Sequence, residues 1–331
     1  MIIQLEEAVL HILDMETGTT LYSQGPLDDT CYEFLYRHIE KTFADEGAKT
    51  GVLGMTSRLG VSLEEFKRGV TDFLSFSTAL GEQIQSWLYQ SEEPKATDVV
   101  CAYGRLDGEP WLVVLLMTNE AAFTHHVVQD GEKMTNQIIR YQAVLPSMQH
   151  KISDYMYIHL GSGDVRMGEK MRMINGEKIG ILEERIAGTE LEPSPRESVR
   201  KISKIIAAVA QEQGLDPVCA MSRTKQYLME NAETAEHLEA RQLGRKVFLD
   251  MEEAKRAYEE QVAEASLPDR IRMPKAYAVK TGKIQKIKTD TGIEIGVPIE
   301  YMNDPERIVF TTQPNGRISI EIKNIHKLIN K

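Results

Sequence analysis

With 331 residues and 42% hydrophobic content, the chain is longer than one core usually organises and too apolar for wholesale disorder, so a globular protein of two domains is the first expectation. Its net charge of −11 is uneven: from Ile271 onward 11 Lys and Arg stand against 6 Asp and Glu (+5), while the preceding residues hold 28 against 44 (−16). Such net acidity excludes indiscriminate coating of DNA and confines any anionic partner to a patch, most naturally at the basic end.

In chain order, Met1–Glu7 lacks the basic region and cleavage site of a signal peptide. Glu7–Leu13 reads as a strand, followed by a turn at Glu16-Thr17-Gly18 and a short extended run over Thr19–Ser23. Cys31, Phe34, Leu35, Ile39 and Phe43 share a helical face, which predicts a helix over Asp29–Ala44. Ser62-Leu63-Glu64-Glu65 matches a capping box and predicts a short helix starting there. The stretch Asp72–Met117 is the organising one. Phe73, Phe76, Leu80, Ile84, Trp87 and Leu88 form one apolar stripe, leaving Glu82, Gln83 and Gln85 for water, and Glu92-Glu93-Pro94 is expected to end the helix. Val99–Tyr103 and Trp111–Met117 then flank Asp107-Gly108, the pattern of a hairpin. The second run is apolar throughout, so the hairpin is expected at the centre of a sheet, covered on both faces, with Trp111 buried and the Phe73–Leu88 helix packed on it.

Ala122–Val128, Ile138–Leu145 and Ile152–Leu160 read as further strands, and Asn175-Gly176 as a type I′ turn between Val165–Met173 and Lys178–Leu182. Ser194-Pro195-Arg196-Glu197 opens a helix whose core stripe is Val199, Ile202, Ile205, Ile206 and Val209, with Gly214 at the position that follows its end. Asp216-Pro217 and Asp250–Glu253 open two more. From residue 276 the period changes to two: Ala276–Val279, Gly282–Ile287, Gly292–Val297, Arg307–Phe310 and Arg317–Ile322 read as strands, the last two separated by Pro314-Asn315-Gly316. The fold class is therefore α+β: a mixed α/β N-terminal domain with a central apolar hairpin (1–185), a helical region (190–268) and a small, basic, β-rich C-terminal module (270–331). Cys31, Cys101 and Cys219 never form a CxxC pair, which suits reduced thiols in a cytoplasm, each a small buried hydrophobe. No apolar run approaches the roughly 20 residues that span a bilayer.

Three segments, in this order, resemble the bacterial nucleoid-associated protein family whose members have about this mass, 37.4 kDa. They are Ala8–Leu13, then Asp72–Ser77 with the helix and apolar hairpin behind it, then Glu306–Phe310 with Gly316–Ile320. The resemblance covers nearly the whole chain, and its specificity lies in order and spacing. It departs at one place. Where family members carry a Gly-rich basic segment and an aromatic helix, Gly161-Ser162-Gly163-Asp164 is followed by Met167–Ile174 without aromatics, so no function is assigned to 161–180. The resemblance implies association with the bacterial nucleoid in the cytoplasm and binding of double-stranded DNA without strong sequence preference. It admits other nucleoid proteins and a homo-oligomer as partners, and no membrane.

The candidate contacts are Lys275, Lys280, Lys283, Lys286 and Lys288, whose side chains along a β surface could neutralise phosphates and release counterions. Lysines on edge strands also serve to block aggregation. A second basic group, Arg196, Arg200, Lys201 and Lys204, lies on the first helix of the middle region, where a solvated face is the plain alternative. The terminal Lys323–Lys331 reads as a tail. His125, His126, His150 and His159 with Asp154 and Asp164 invite a metal or hydrolase reading, but adjacent strand histidines point to opposite faces, and neither HExxH nor CxxC is present. Gly161-Ser162-Gly163 lacks the Lys-Ser/Thr of a P-loop. No catalytic residue, cofactor or metal is expected. The alternative to DNA binding is a non-catalytic protein-interaction scaffold whose lysines only protect edges.

Overall fold

The computed structural model describes residues 1–331 apart from 16, 132, 190, 266, 303, 314–316 and 328–331. It divides into two units, Met1–Glu192 and Pro193–Lys331. The expected turns at Glu16-Thr17-Gly18 and Pro314-Asn315-Gly316 and the end of the tail fall wholly or partly outside the described residues.

Alternation of apolar residues around one antiparallel sheet builds the first unit. Its elements are β1 (Ile3–Asp14), β2 (Thr19–Leu21), α1 (Tyr32–Phe43), β3 (Lys49–Val52), α2 (Arg58–Lys67), α3 (Phe73–Leu88), β4 (Thr97–Leu106), β5 (Glu109–Thr118), β6 (Glu120–Asp130), β7 (Lys133–Val144), β8 (Asp154–His159) and β9 (Asp164–Gly168). Seven strands lie in the order β2-β1-β4-β5-β8-β9-β3, so the β4–β5 hairpin is central. Its turn has Asp107 at φ 50° and Gly108 at φ 86°, the pair of left-handed residues that a type I′ hairpin requires. Along β5, Leu112, Val114 and Leu116 join the core beneath α3, with Phe76, Leu80 and Ile84. Val113, Leu115 and Met117 join the opposite core with Leu35 and Ile39 of α1. Both faces of the apolar run are covered, as its composition predicts.

Several local expectations are corrected. Helix α2 begins at Ser57, whose hydroxyl accepts the Gly60 N–H at 3.0 Å, rather than at Ser62. The earlier start brings Leu59 as well as Leu63 onto the buried face. Helix α3 ends at Leu88, before Glu92-Glu93-Pro94. Gln83 points inward at 7% exposure, its amide N–H donating to the Ala79 carbonyl one turn back at 3.3 Å. Trp111, near the end of β5, is only half-buried, edge-on to Phe43 and His159. All three cysteines are free thiols, but only Cys101 is buried, which pushes its thiol up to about 12; Cys31 and Cys219 are exposed.

Strands β6 and β7 pair with each other and with no strand of the main sheet, because β5 hydrogen-bonds directly to β8 from Trp111–His159 to Leu116–Asp154. Beyond β9, the run to Ile174 is not one strand. It bends into β10 (Arg172–Ile174), which turns through Asn175 and Gly176, both left-handed, into β11 (Glu177–Ile179). Leu182 belongs not to a strand but to a π-helical turn, Ile181–Ala187, whose Leu182 and Glu183 N–H groups both donate to the Glu169 carboxylate at 2.9 Å.

The second unit begins with helices α4 (Pro195–Glu212) and α5 (Pro217–Thr234), capped by Ser194 and Asp216 as their sequences require, with Gly214 at φ 67° just past α4. Next come β12 (His237–Glu239), α6 (Ala240–Phe248), α7 (Glu252–Glu264), β13 (Arg270–Arg272), α8 (Lys275–Gly282), β14 (Ile284–Lys288), β15 (Glu294–Pro298), β16 (Ile308–Thr312) and β17 (Ile318–Ile322). Buried stripes of α4–α7 share one core with Ile271, Met273, Tyr277 and Ala278. The last four strands form two separate hairpins, β14–β15 and β16–β17, around a small core of Val297, Met302 and Ile308. One correction bears directly on the candidate site: Ala276–Val279 is the middle of a helix, not a strand.

Candidate nucleic-acid interface

The sequence places five lysines on one β surface; the structure distributes them over a helix, its end and a strand. In α8, Tyr277, Ala278 and Gly282 are buried. Gly282 lies so close to α5 that an added Cβ would stand 2.3 Å from the Met229 side chain and 2.9 Å from the Lys225 carbonyl. That docking fixes the outward arc of α8, from which Lys275 and Lys280 reach solvent, with Lys283 exposed at its C-cap. In β14 the alternation is clean. Gln285 is buried and Ile287 packs on the small core, while Lys286 and Lys288 share the opposite, exposed face.

These cations are not equivalent. The Lys288 ammonium sits 3.0 Å from Glu294, its cross-strand partner, and is partly neutralised. Lys275, Lys283 and Lys286 have no acidic group within ion-pair distance among the described residues. A further cation, Lys225 of α5, donates to the Ile284 carbonyl at 2.6 Å. Partial burial and the charge of Lys286 hold its ammonium below the usual lysine range, so two positive charges are kept close together. Lys225 was not among the sequence candidates; 50 residues separate it from Lys275, and only the docking of α8 and β14 on α5 reveals it.

The second basic group is separate. Arg196, Arg200 and Lys204 recur every four residues on the exposed side of α4, opposite its buried Val199, Ile202, Ile206 and Val209. Lys201 belongs to neither face; it is half-buried and pairs with Glu197 at 3.6 Å. Helix α4 packs on α5, α7 and β13, whereas α8 and β14 pack on α5. The nine sequence candidates thus form two surfaces, not one.

Two constellations test an enzymatic reading. His11 is fully buried and its ring bridges Ser77 and Ser23. Its Nδ1 accepts the Ser23 N–H at 3.2 Å, so Nε2 carries the proton and donates to the Ser77 hydroxyl at 3.1 Å; it is no base for that serine. Burial lowers the His11 pKa and favours this neutral form. On the surface, His159 Nε2 meets Glu109 at 3.2 Å while Nδ1 meets the Ser162 hydroxyl at 2.9 Å, which superficially matches a carboxylate–imidazole–hydroxyl relay. The Ser162 N–H also donates to Nδ1 at 2.9 Å, and the Ser162 hydroxyl lies 2.6 Å from Asp164, the better acceptor. The arrangement closes a turn. Among the described residues, no group of three or more His, Cys, Asp or Glu could hold a metal ion. No described helix is long and apolar enough to cross a membrane.

A comparison with protein families matches residues 9–330 to the family described as nucleoid-associated protein YejK. The chain belongs to that family. The match runs through both units of this YejK-family chain, from β1 to beyond β17, in agreement with the resemblance carried by its N-terminal strand, its α3 segment and its closing strands. A comparison with curated protein sequences gave no match.

Proposed function

We propose that this chain binds double-stranded DNA in the cytoplasmic nucleoid with little sequence preference, through phosphate contacts from the basic surface where α5, α8 and β14 meet. The observation that carries the reading is the set of exposed lysines without acidic partners among the described residues, Lys275, Lys283 and Lys286, backed by Lys225. Ammonium groups on flexible stems neutralise phosphates without reading base edges, which is the chemistry of sequence-tolerant binding. Lys280 and Lys288 flank this surface, Lys288 with its charge shared by Glu294. The Arg196–Arg200–Lys204 stripe is a second phosphate-binding face, with Lys201 committed to Glu197. The activity is non-catalytic, in keeping with the hydrogen-bond directions at His11 and His159.

A salt titration of binding to generic duplex DNA tests this. Each phosphate contact contributes about 0.9 to the slope of log K against log salt, so Lys275→Gln, Lys283→Gln and Lys286→Gln together lower it by about 2.7. Binding weakens alike on unrelated sequences, and thermal stability is unchanged because the side chains are exposed. A folded triple variant with an unaltered slope moves the contact to Arg196–Lys204. Absence of binding at low salt supports the scaffold instead.

A further inference from the structure

The β6–β7 ribbon leaves the main sheet through a single residue. β5 ends at Thr118 and β6 begins at Glu120, so Asn119 is the whole of the outgoing root, and its N–H donates to the Ala96 carbonyl at 2.9 Å. Its side-chain amide hydrogen-bonds the carboxyl of Asp98, which is 6% exposed near the start of β4. Asp98 lies on the α1 side of the sheet, in step with Val100 and Ala102, whereas Val99 and Cys101 face α3. Asp98 Oδ1 and Asn119 Oδ1 are both buried, and among the described residues neither has a hydrogen-bond partner. A primary amide offers a donor and an acceptor side by side. A carboxylate only accepts, so it answers the donor alone. A neutral carboxyl answers both, its C=O accepting from the amide N–H and its O–H donating to the amide oxygen. One proton on Asp98 therefore completes the pair.

We propose that Asp98 and Asn119 form a proton-operated latch, which fixes the root of the ribbon when the carboxyl is neutral and releases it when the carboxyl ionises. Thr118 and Asn119 are half-buried at the end of β5, where a strand opens more readily than at its fully buried centre. In the closed root, burial and the charge of Asp14 push the Asp98 carboxyl up to about 6. Opening returns it to water, where it ionises near pH ~4. Because the closed-state value is the higher, the hold is full below pH ~4 and is lost as pH rises through 6. The groups on the surrounding elements either support or limit this device. Asp14 of β1, whose carboxylate accepts the Thr17 N–H and hydroxyl, adds repulsion once Asp98 ionises. On α1, which covers this face, His38 Nε2 donates to the Pro146 carbonyl at 3.3 Å and Lys41 to the Met148 carbonyl at 2.6 Å, both on the returning root after β7. In the same segment Lys151 pairs with Asp45 at 2.6 Å, and Tyr155 of β8 donates to that carboxylate at 2.7 Å. His150 lies 3.1 Å from Glu120, an ion pair when the imidazole is protonated, so this contact tightens the root in the same direction as Asp98. His38 opposes them, since its buried Nδ1 has no partner for a second proton among the described residues. Burial lowers its pKa and confines that opposition to the acid end. The inference stands apart from the DNA reading.

Hydrogen exchange of the Asn119 N–H in the full chain, resolved by NMR and corrected for the intrinsic pH dependence of exchange, tests the latch. In the wild type the opening constant rises about 10-fold or more between pH 5 and pH 8, most of the rise being complete by pH 6.5. Asp98→Asn puts an amide N–H where the carboxyl O–H would be. Its profile is flat, and its root is as closed at pH 8 as that of the wild type at pH 5. Glu120→Gln removes the His150 ion pair and keeps the rise of about 10-fold that belongs to Asp98. At every pH Asn119 opens more often than Val114 at the sheet centre, which marks the opening as local. A flat wild-type profile, or a wild-type rise retained in Asp98→Asn, overturns the proposal. So does an Asn119 opening constant equal to that of Val114, because the titration then belongs to global unfolding.

Discussion

Two hairpins follow one another along the first unit, and they differ in almost everything except their secondary structure. β4–β5 has strands of ten residues joined by a two-residue turn and is buried on both faces; β6–β7 has strands of 11 and 12 residues and is exposed over nearly all its length. β4–β5 owes its stability to α1 on one side and α2 and α3 on the other, and its side chains are apolar at every position from Leu112 to Met117. β6–β7 retains a hydrogen-bond ladder but, among the described residues, packs extensively on no other element. The lesson is that a hairpin's local chemistry fixes its turn and register, while its energetic weight is decided by what covers it.

That contrast can be broken or sharpened by substitution. The largest effect is expected at Leu115, fully buried beneath α1: Leu115→Ala costs about 2–5 kcal/mol in urea unfolding, and a smaller loss would mean that this face of the sheet is less tightly packed. Asp98 comes next. Burial, with the nearby charge of Asp14 adding to it, pushes its carboxyl up to about 6 in β4. Because the folded pKa lies above the unfolded one, Asp98 contributes stability that is fully present below pH ~4 and lost as pH rises through 6. Asp98→Asn is therefore expected to stabilise the protein by about 1–3 kcal/mol at pH 7.5, with the gain vanishing near pH 4. A pH-independent difference between the two unfolding curves would contradict this. Gly108→Ala, which places a Cβ at φ 86°, costs about 1 kcal/mol or slightly more, measurable as a shift in melting temperature. The smallest effect belongs to the ribbon. Gln137→Ala, at an exposed side chain paired across the ribbon with His126, stays within about 0.5 kcal/mol, and a cost comparable to that at Leu115 would show that something covers that face.

How far the sequence reveals these differences depends on how local their causes are. The apolar stripe of α3, Phe73 to Leu88, was legible because its spacing acts within a few residues; its end, which falls before the expected Glu92-Glu93-Pro94, and its cap, where the Asp72 carboxylate accepts the Ser75 N–H at 2.7 Å, were not. The turns at Asp107-Gly108 and Asn175-Gly176 were legible for the same reason. Helix α8 was not. Tyr277 and Val279 suggest a strand, and its state is set by close docking on Met229 and Lys225 some 50 residues earlier. The same distance hid Lys225 from the list of cations. Strands β6 and β7 were readable, but their detachment from the sheet was not, since it follows from β5 choosing β8 as its partner.

That choice has a consequence for how the chain responds to cutting. The sheet is sealed behind the ribbon by the pairing of Leu116 with Asp154 and of its neighbours on to Trp111 and His159. A protease that severs the ribbon midway breaks none of those bonds and uncovers neither of the two cores that flank them. The two pieces should remain associated as a nicked but native particle, migrating as one species under native conditions and as two after denaturation. The ribbon is thus also the place where foreign sequence could be spliced in, or the segment shortened, with least disturbance to the rest of the fold.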